Sequence, residues 1–572
     1  MTTRDVQHGV SRFGRITGYL RNVLFVALVV VLLTGGGRFK GQLAGVKIYL
    51  DLANVGGMAA YFFALLLLGA WRPGRDALRE EWWYRQTWRY YGTLAHWLKR
   101  RPVATALVLG AAFAAVVGTG AVARHLTFGS HAYDLGVMYE PLWKTLHGHF
   151  HYSVLAGEVS GFAIHIQPIF FLLLPFLALW ESPVTLLIIQ TVALALAIVP
   201  LTLLARRLLR SEVLQVAVLI AFVSYFPYRH IGLWDYHHVV LAVPLLLAAL
   251  VALEQERWRW FAAFLGLALF TKETVALPVF CFGIALVMHK RRRVGALVAA
   301  AAAVYFVLVV HFVPHWLGVE KLAMDQFDYL GDSTVAILLS PIQRPAVFWG
   351  ELLNRHTLLY VWQLLGPLGF LPVLAPWMLL PVVPVFAYLA LSGGTNKLTI
   401  EHHDISLVLP FVYYALILGL ARVEAWLAVG EIEAPRWWKS RTAVAVLLVV
   451  ASLLFYGKSD LYRMRSYRMT PHKKHVRMLI EQFIPPDAGV AANTCIVPHL
   501  LNRQKVYLIP RQPPTVQYIF FDTKLPYCRW PMSLEEKKNF PASVNESRFE
   551  RIYDDRGVII WRQRRSAMEL YQ

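Results

Sequence analysis

Residues 183–205 read PVTLLIIQTVALALAIVPLTLLA, an apolar stretch that ends at Arg206 and Arg207. A helix needs about 20 apolar residues to cross the hydrocarbon core of a bilayer, so this stretch is long enough to span one. Similar stretches recur along most of the chain, in which 57% of residues are hydrophobic and 16% are charged. Because lipid cannot satisfy exposed backbone groups, repeated stretches of this kind predict an all-α polytopic membrane protein.

Counting these stretches predicts about 13 transmembrane helices. They lie near 17–35, 48–70, 103–122, 183–205, 213–229, 238–254, 260–271, 274–289, 293–317, 356–372, 374–392, 405–422 and 442–457. The first follows a basic N-terminal segment and has no small-residue cleavage site after it. It is therefore predicted to be a retained signal anchor.

Basic clusters predict the orientation of the chain, because Lys and Arg concentrate in cytoplasmic loops. Three clusters stand out: 72–101, the arginines 206, 207 and 210, and 289–293. All three are cytoplasmic only if the apolar run 164–181 does not cross the membrane. That run contains Pro168 and Pro175, and we predict an interfacial or re-entrant helix, with a plain transmembrane helix as the alternative. The loop 123–164 and the tail after about 458 are then extracytoplasmic.

The chain is predicted to have three parts. Residues 1–102 hold two transmembrane helices and a basic interfacial segment, 103–457 form the transmembrane core, and 458–572 form a small extracytoplasmic α/β domain. In the last part HKKHVRMLIEQF predicts a helix, and GVAAN, KVYLI, QYIFFD and RGVIIW predict short strands. Cys495 and Cys528 lie in this part and would be free to pair outside the cytoplasm.

The formal net charge of +21 does not indicate nucleic-acid binding, since the basic residues are spread over loops between spans. Walker, GxGxxG, HExxH and GxSxG motifs are absent from the sequence, which removes support for nucleotide, serine and zinc hydrolysis. The predicted partners are therefore membrane lipids and a lipid-linked substrate, and not nucleic acid.

The stretch HAYDLGVMYEPLWKTLHGHFHY, residues 131–152, carries Asp134 and Glu140 directly after an apolar span. Ionisable groups at a membrane surface are functional candidates, and we predict both as catalytic residues. Two structural alternatives stay open: Asp134 caps the following helix, and Glu140 faces water. Other polar residues on the same predicted face are candidates for binding substrate or lipid phosphate: His165, Arg229, Asp235, His237, His238, Lys272, Glu273, His402 and His403. Asp404, directly after His403, completes the polar residues of this face.

This set suits the transfer of a sugar from a polyprenyl phosphate. The phosphate leaves without a strong general acid, so the site needs cations or hydrogen-bond donors, such as Lys272, Arg229 and the histidines. The acceptor hydroxyl needs one base, for which we nominate Asp134. A divalent metal held by Asp134 and the sequence Asp235-Tyr236-His237-His238 is an alternative reading of these residues.

Several stretches together resemble the bacterial family catalogued as domain of unknown function 2079. They occur in that family's order over roughly residues 105–525: YDLGVMYEPLWKTLHGHFHYS, the run 164–209, WDYHHVVLAVPLLLAAL, LFTKETVAL, HDISLVLPF and VPHLLNRQKVYLIP. That family in turn resembles the C-type glycosyltransferase superfamily (GT-C). The resemblance implies a multi-pass protein of the bacterial cytoplasmic (inner) membrane that uses a polyprenyl-phosphate sugar donor, with its active site facing outside.

The resemblance also implies site residues. An aspartate in the first outer loop points to Asp134 as base, and a Thr-Lys-Gly motif between two spans resembles Thr271-Lys272-Glu273, with Glu in place of Gly. The family usually has the motif aspartate, aromatic, histidine, proline, glutamate at residues 235–239. This sequence has Val239 in place of the glutamate, which puts a metal or second-acid role there in doubt. The acceptor is expected to be an extracytoplasmic glycan, lipid or protein. A flippase for an anionic lipid-linked substrate and a noncatalytic envelope-assembly protein remain the competing functions.

Overall fold

A computed structural model of the chain describes residues 20–31, 38–43, 46–51, 54–70, 82–318, 325–392, 398–429, 440–457, 460–525 and 532–564. Within these ranges the protein is mostly helical. From the N-terminus to residue 317 the α-helices are Leu20–Val31, Val55–Ala70, Trp82–Arg100, Pro102–Leu126, Val137–Leu146, Phe170–Leu179, Pro183–Leu208, Glu212–Ser224, Phe226–Leu233, Ala242–Glu254, Trp258–Leu269, Ala276–Met288, Arg292–Val307 and Val313–Leu317.

The remaining helices continue to the C-terminal region. They are Thr334–Gln343, Pro345–Leu352, Arg355–Leu365, Val382–Ala390, Leu409–Val429, Arg441–Leu454, Asp460–Met464, Pro471–Phe483 and Leu534–Ser543. The strands are Arg38–Leu43, Val46–Asp51, Tyr152–Ser153, Val159–Ser160, Val490–Ala492, Val506–Leu508, Tyr518–Asp522, Phe549–Asp555 and Val558–Gln563.

Four of the described helices are long and apolar enough to cross a membrane: Pro102–Leu126, Pro183–Leu208, Arg292–Leu317 and Leu409–Ala428. The pair Glu212–Ser224 and Phe226–Leu233, bent by 42°, makes a fifth if it is one span. The helix Pro183–Leu208 shows why the apolar stretch folds as it does. Ser182 accepts a hydrogen bond from the backbone N–H of Val184, and Pro183 occupies the first turn, where its missing N–H is not needed.

The expected number of 13 helices remains a prediction, and two of the expected spans are not continuous helices. The helix Arg355–Leu365 ends at Gly366, and the chain continues to residue 379 in short 3₁₀ turns before the helix Val382–Ala390. Proline explains the break, because it removes a backbone donor and clashes with the preceding turn. The segment from 367 to 384 contains five prolines: Pro367, Pro372, Pro376, Pro381 and Pro384.

The run predicted to be interfacial or re-entrant forms the helix Phe170–Leu179, 10 residues long. At 1.5 Å per residue it extends about 15 Å, half of a hydrocarbon core of about 30 Å. As a helix it is too short to cross. The chain then turns at Trp180 and begins the long helix Pro183–Leu208.

The C-terminal region contains a five-stranded sheet. Strand Val490–Ala492 lies between Val506–Leu508 and Tyr518–Asp522 and is parallel to both. Tyr518–Asp522 then pairs antiparallel with Val558–Gln563, which pairs antiparallel with Phe549–Asp555. The helix 471–483 and four strands fall where the sequence predicts them, whereas the edge strand Phe549–Asp555 and the helix Leu534–Ser543 were not predicted.

The sheet and the loop 123–164 share one hydrophobic core. Buried side chains of the loop, such as Leu135 and Phe162, pack in the same cluster as Val490 and Phe520 of the sheet. The backbone N–H of Ala132 donates to the carbonyl oxygen of Thr494 at 2.9 Å. The sheet therefore supports the segment that carries Asp134.

Candidate functional site

Asp134 lies in a single π-helical turn, Ala132–Gly136, between the long helix Pro102–Leu126 and the short helix Val137–Leu146. The N-cap positions of the two elements are His131 and Gly136, so Asp134 is not the helix cap that the sequence left open. Its carboxylate reaches two histidines. Oδ1 is 3.3 Å from Nε2 of His237, and Oδ2 is 3.8 Å from Nδ1 of His131.

A buried ion pair fixes one side of this turn. Arg124, at the end of the preceding helix, places Nη1 2.7 Å and Nη2 3.4 Å from the two oxygens of Asp235. The backbone N–H of His131 donates to Asp235 Oδ2 at 2.9 Å. Burial acts to raise the pKa of Asp235, but Arg124 and His131 outweigh burial and hold that pKa below its usual range. Asp235 is therefore an anionic anchor for the turn.

Stacked histidines connect this turn to a segment far along the chain. The rings of His237 and His403 are parallel within 12°, with centroids 3.6 Å apart, and His402 lies 4.1 Å from His403. Burial, followed by the neighbouring His237, lowers the pKa of His403 well below its usual value. His403 is therefore neutral at physiological pH and can donate or accept a hydrogen bond.

Lys272 lies behind these histidines in a second buried ion pair. Its Nζ is 2.8 Å from Asp404 Oδ1, and both side chains are almost completely buried. Burial acts to lower the pKa of Lys272, but Asp404 raises it above its usual value. Burial likewise acts to raise the pKa of Asp404, and Lys272 lowers it well below its usual value. Both groups are charged, and each neutralises the other.

Glu273, the next residue, holds the entrance to the helix Phe170–Leu179. One oxygen is 2.9 Å from Nδ1 of His165, and the other accepts from the backbone N–H of Ile166 at 2.9 Å. Burial, followed by Lys272, lowers the pKa of His165. Lys272 therefore pairs with Asp404, and Glu273 bonds to His165. These two adjacent residues do not pair only with each other.

The four carboxylates of this site differ in exposure. The side chain of Asp134 is 30% exposed, whereas those of Asp235, Asp404 and Glu273 are 0%, 2% and 8% exposed. Each of the three buried carboxylates contacts a cationic or imidazole group within 3.0 Å or accepts a backbone N–H. Asp134 is the one of the four that a substrate can approach from solvent.

Glu140, predicted as the second catalytic residue, lies apart from this cluster and is fully buried. It accepts from Lys144 Nζ at 2.7 Å and from Ser153 Oγ at 2.6 Å. The backbone N–H groups of Val154 and Leu155 add two bonds of 3.1 Å. The alternative that Glu140 faces water is therefore wrong. Its four hydrogen bonds are those of a carboxylate that stabilises the loop.

Two other predicted binding residues also lie outside the cluster. Arg229 pairs with Asp460 and donates to the carbonyl oxygen of Tyr456 at 2.7 Å, so its guanidinium ties the helix Phe226–Leu233 to the segment that leads into the C-terminal region. The Nδ1 atom of His238 is 3.3 Å from Met138 Sδ. Its side chain is therefore turned toward the loop and not toward the stack of His237 and His403.

Arg124 and His131 are site residues that were not predicted from the sequence, whereas Asp404 was placed with His402 and His403 among the polar residues of the same face. Arg124 carried a signal, because a charged residue at the end of an apolar span beside a candidate acid is a natural ion-pair partner. His131 and Asp404 lie three residues before Asp134 and one after His403, respectively. Their contacts come from segments more than 100 residues apart, which spacing in the sequence does not show.

In each of two groups of side chains, three possible metal-ligand atoms lie within 4.8 Å of one another. The two groups are His131, Asp134 and Asp235, and His402, His403 and Asp404. In each group the buried carboxylate already faces a cation, Arg124 in the first and Lys272 in the second. A divalent ion would add charge beside an ammonium or a guanidinium. The donors of both groups therefore fit a divalent metal poorly.

Comparison with known proteins agrees with the family resemblance of the motifs. Two structures of ArnT from Cupriavidus metallidurans, one bound to undecaprenyl phosphate and one in the apo state, are similar over 80% of this chain and 98% of theirs, at 13% identity and TM-scores of 0.47 and 0.46. No protein of curated function matches the chain. Residues 124–560 match the family described as predicted membrane protein DUF2079. The match covers more than half of the sequence, and the protein belongs to the DUF2079 family.

Proposed function

We propose that this protein is a membrane glycosyltransferase that moves a sugar from a polyprenyl phosphate to a hydroxyl acceptor at the extracytoplasmic face. One observation carries the proposal. Asp134 is the solvent-accessible carboxylate in a cluster whose other carboxylates are buried and already hydrogen-bonded. The Asp134 carboxylate can therefore accept a proton from a substrate, whereas the buried carboxylates stabilise the fold.

In the proposed reaction the acceptor oxygen attacks C1 of the donor sugar while the bond from C1 to the phosphate oxygen breaks. The electron pair of that bond leaves with the polyprenyl phosphate, and the acceptor proton passes to Asp134. His237 and His131, 3.3 and 3.8 Å from the two carboxylate oxygens, orient the base. Arg124 and Asp235 act as positioning residues, because they fix His131 and not the substrate.

The leaving phosphate needs hydrogen-bond donors or positive charge. The partly exposed rings of His165, His402 and His403 are candidates to provide the donors. Lys272 adds positive potential from behind them, but its ammonium stays paired with Asp404. In the proposed complex the ion pair of Lys272 and Asp404 acts on the phosphate as a fixed dipole, which requires little reorganisation when charge develops.

A disulfide supports an extracytoplasmic location for the C-terminal region and for the loop that packs on it. Cys495 is disulfide-bonded, whereas Cys281 in the apolar helix Ala276–Met288 is a free thiol. Disulfides persist in oxidising compartments outside the cytoplasm. Cys528, the partner considered from the sequence, lies outside the described residues.

The test uses the full-length protein in lipid nanodiscs with a panel of radiolabelled polyprenyl-phosphate sugars, scoring transfer and hydrolysis. We expect turnover, and we expect Asp134→Asn to reduce it at least about 100-fold, the usual contribution of a general base. Asp554→Asn is the matched control, since that exposed aspartate pairs with Arg551 in the sheet. Wild-type turnover by Asp134→Asn would refute the base. Transport of a labelled lipid across vesicles, without sugar transfer, would identify a flippase instead.

A further inference from the structure

Residues 461–480, shortly after the apolar helix Arg441–Leu454, carry a block of positive charge. The block holds six Lys or Arg residues and no Asp or Glu, a pattern that is typical of an interaction surface because like charges repel one another. We call it the basic segment, and its cations are Arg463, Arg465, Arg468, Lys473, Lys474 and Arg477.

The structure places the basic segment at one end of a helix that is long enough to cross a membrane. The Nη2 atom of Arg477 donates to the carbonyl oxygen of Leu126, the last residue of the helix Pro102–Leu126, at 2.7 Å. Met464 lies against Gly120 of the same helix, where a Cβ atom would be 3.2 Å from Cγ of Met464. The basic segment therefore runs alongside the last two turns of this helix.

The length of that helix sets the depth of the basic segment in the bilayer. Its 25 residues extend about 38 Å, against about 30 Å for the hydrocarbon core and about 40–45 Å for the bilayer with its headgroups. The helix begins directly after Arg100 and Arg101, which end the basic cluster 72–101. With those two arginines in one headgroup layer, Leu126 and Arg477 lie in the headgroup layer of the opposite surface, at the level of the lipid phosphates.

The concentration of Lys and Arg in cytoplasmic loops does not account for this charge. That tendency explains the cluster 72–101, at the start of the helix Pro102–Leu126. The basic segment lies at the other end of the same helix. Since the two ends face opposite surfaces, the tendency explains one of the two clusters, and the basic segment has another cause.

Two cations of the basic segment are available to a ligand. Arg468 and Lys474 are exposed, and within the part of the chain that the structure describes no hydrogen bond or ion pair engages either side chain. Lys473 is buried, and the guanidinium of Arg463 lies 4.8 Å from the ring of Phe226. The charge that can meet a phosphate therefore comes from Arg468 and Lys474, with Arg477 beside them.

Apolar side chains at the same level favour a lipid over a soluble polyanion. Met478 is 49% exposed and Leu126 is 42% exposed, and Arg477 adjoins both of them. The acidic residue of this helix, Glu481, follows one turn beyond Met478. Cations that flank exposed apolar side chains are characteristic of segments that lie in the interface of a membrane with anionic lipids.

We propose that the basic segment binds the phosphate headgroups of anionic phospholipids of the bilayer through Arg468 and Lys474. Binding fastens the helix Pro471–Phe483 to the membrane surface, and with it the sheet that supports the Asp134 turn. The leaflet that supplies the lipid follows from the orientation given with the proposed function. The preference for an anionic headgroup does not depend on that orientation.

Native mass spectrometry of the full-length protein in uncharged detergent tests the proposal. The protein is mixed with equal concentrations of phosphatidylglycerol and phosphatidylcholine that carry the same acyl chains. One cation near an anionic surface contributes about fivefold in affinity, so we expect about a 25-fold preference for phosphatidylglycerol. The double variant Arg468→Gln with Lys474→Gln should remove most of it. Equal binding of the two lipids by the wild type would overturn the proposal.

The matched control is the double variant Arg551→Gln with Arg556→Gln. It removes the same charge from side chains of the sheet region that are 44% and 69% exposed, and it should keep the preference of the wild type. If both double variants lose the preference equally, net charge and not the basic segment recruits the lipid, and the proposal is wrong.

Three competitors separate the bilayer lipid from other anions. Glycerol 1-phosphate and polyglutamate, each at the concentration of the lipid, should displace little phosphatidylglycerol, because neither supplies an acyl chain. Displacement by either would assign the basic segment to a free phosphate or to an acidic polymer. Decaprenyl phosphate that binds through Arg468 and Lys474 more tightly than phosphatidylglycerol would assign it to the sugar donor. Each of these results overturns the proposal.

The lipid surface and the proposed enzyme fail in different ways. If the protein transfers no sugar, yet prefers phosphatidylglycerol until Arg468 and Lys474 are replaced, the glycosyltransferase is refuted and the lipid surface stands. If sugar transfer occurs and the Arg468→Gln, Lys474→Gln variant binds both lipids as the wild type does, the lipid surface is refuted and the enzyme stands.

Discussion

Replacing Asp404 by asparagine should destabilise the protein strongly, because it leaves the ammonium of Lys272 buried without a counter-charge. The two groups are 2.8 Å apart, with 3% and 2% of their side chains exposed. Removing one partner of a buried pair costs about 3–5 kcal/mol, since the remaining charge has lost its solvation and gained nothing. We expect a loss of this size in the free energy of unfolding for Asp404→Asn.

The pH dependence of the same pair follows from the two pKa shifts. The lowered pKa of Asp404 gives stability that is present above the unfolded value of about 4 and is lost as pH falls through the folded pKa. The raised pKa of Lys272 gives stability that is present below about 10.4 and is lost as pH rises through the folded pKa. The pair therefore contributes fully between about pH 4 and pH 10.

Reversible unfolding in mixed detergent micelles at pH 7 measures the free energy of unfolding. The matched control is Asp554→Asn, which breaks an exposed pair with Arg551 and should cost less than about 1 kcal/mol. The double variant Lys272→Met with Asp404→Leu should recover most of the stability, because two apolar side chains leave no charge unpaired. If Asp404→Asn loses no more stability than Asp554→Asn, the buried pair does not hold these segments together.

Three further predictions concern the loop and its supports. Glu140→Gln should lower the yield of folded protein, because Lys144 becomes a buried unpaired cation; size-exclusion chromatography measures this, and a folded but inactive variant would instead make Glu140 catalytic. Burial lowers the pKa of His151 to about 4, so stability should fall below about pH 6.5 as the unfolded chain binds the proton, by up to about 3 kcal/mol at pH 4. His151→Asn should flatten that slope between pH 7 and pH 5, and an unchanged slope would contradict the assignment. Arg124→Lys keeps a positive charge beside the buried carboxylate of Asp235 but loses the two-pronged hydrogen bonding. It should lower kcat about tenfold or more with little change in KM, because the proposed base Asp134 is misplaced while the substrate contacts remain; steady-state kinetics on the active donor decide it.

The sequence predicted the helical class, the C-terminal sheet region and the main residues of the cluster for a clear physical reason. Long apolar runs and short alternating segments are local signals, which the chain carries without reference to its neighbours. Polar residues at the ends of apolar runs are rare, because burying them at a membrane costs free energy, and they are therefore functional candidates. This reasoning selected Asp134, His237, Lys272 and His403. The structure brings these four side chains to one site.

What the sequence did not predict depends on long-range contacts. Glu140 and Asp134 look equivalent in one short stretch, yet one is enclosed by Lys144 and the loop 153–155 while the other faces solvent. The sequence predicts Arg229 as a phosphate ligand. In the structure its guanidinium pairs with Asp460, which is 231 residues later in the sequence. The helix breaks after residue 365 likewise depend on the prolines and on packing. A hydropathy value averaged over many residues does not detect such breaks.

The contacts that support the Asp134 turn have a consequence for how the protein is made. Tyr139 donates to Asn502 from 363 residues away, and Arg477 donates to the carbonyl oxygen of Leu126 across 351 residues. At about 5–20 residues per second, a ribosome needs between about 20 and 70 s to supply those partners. The helices before residue 477 are therefore synthesised before the Asp134 turn has a rigid support, and the proposed sugar transfer can begin only after Asn502 has been added.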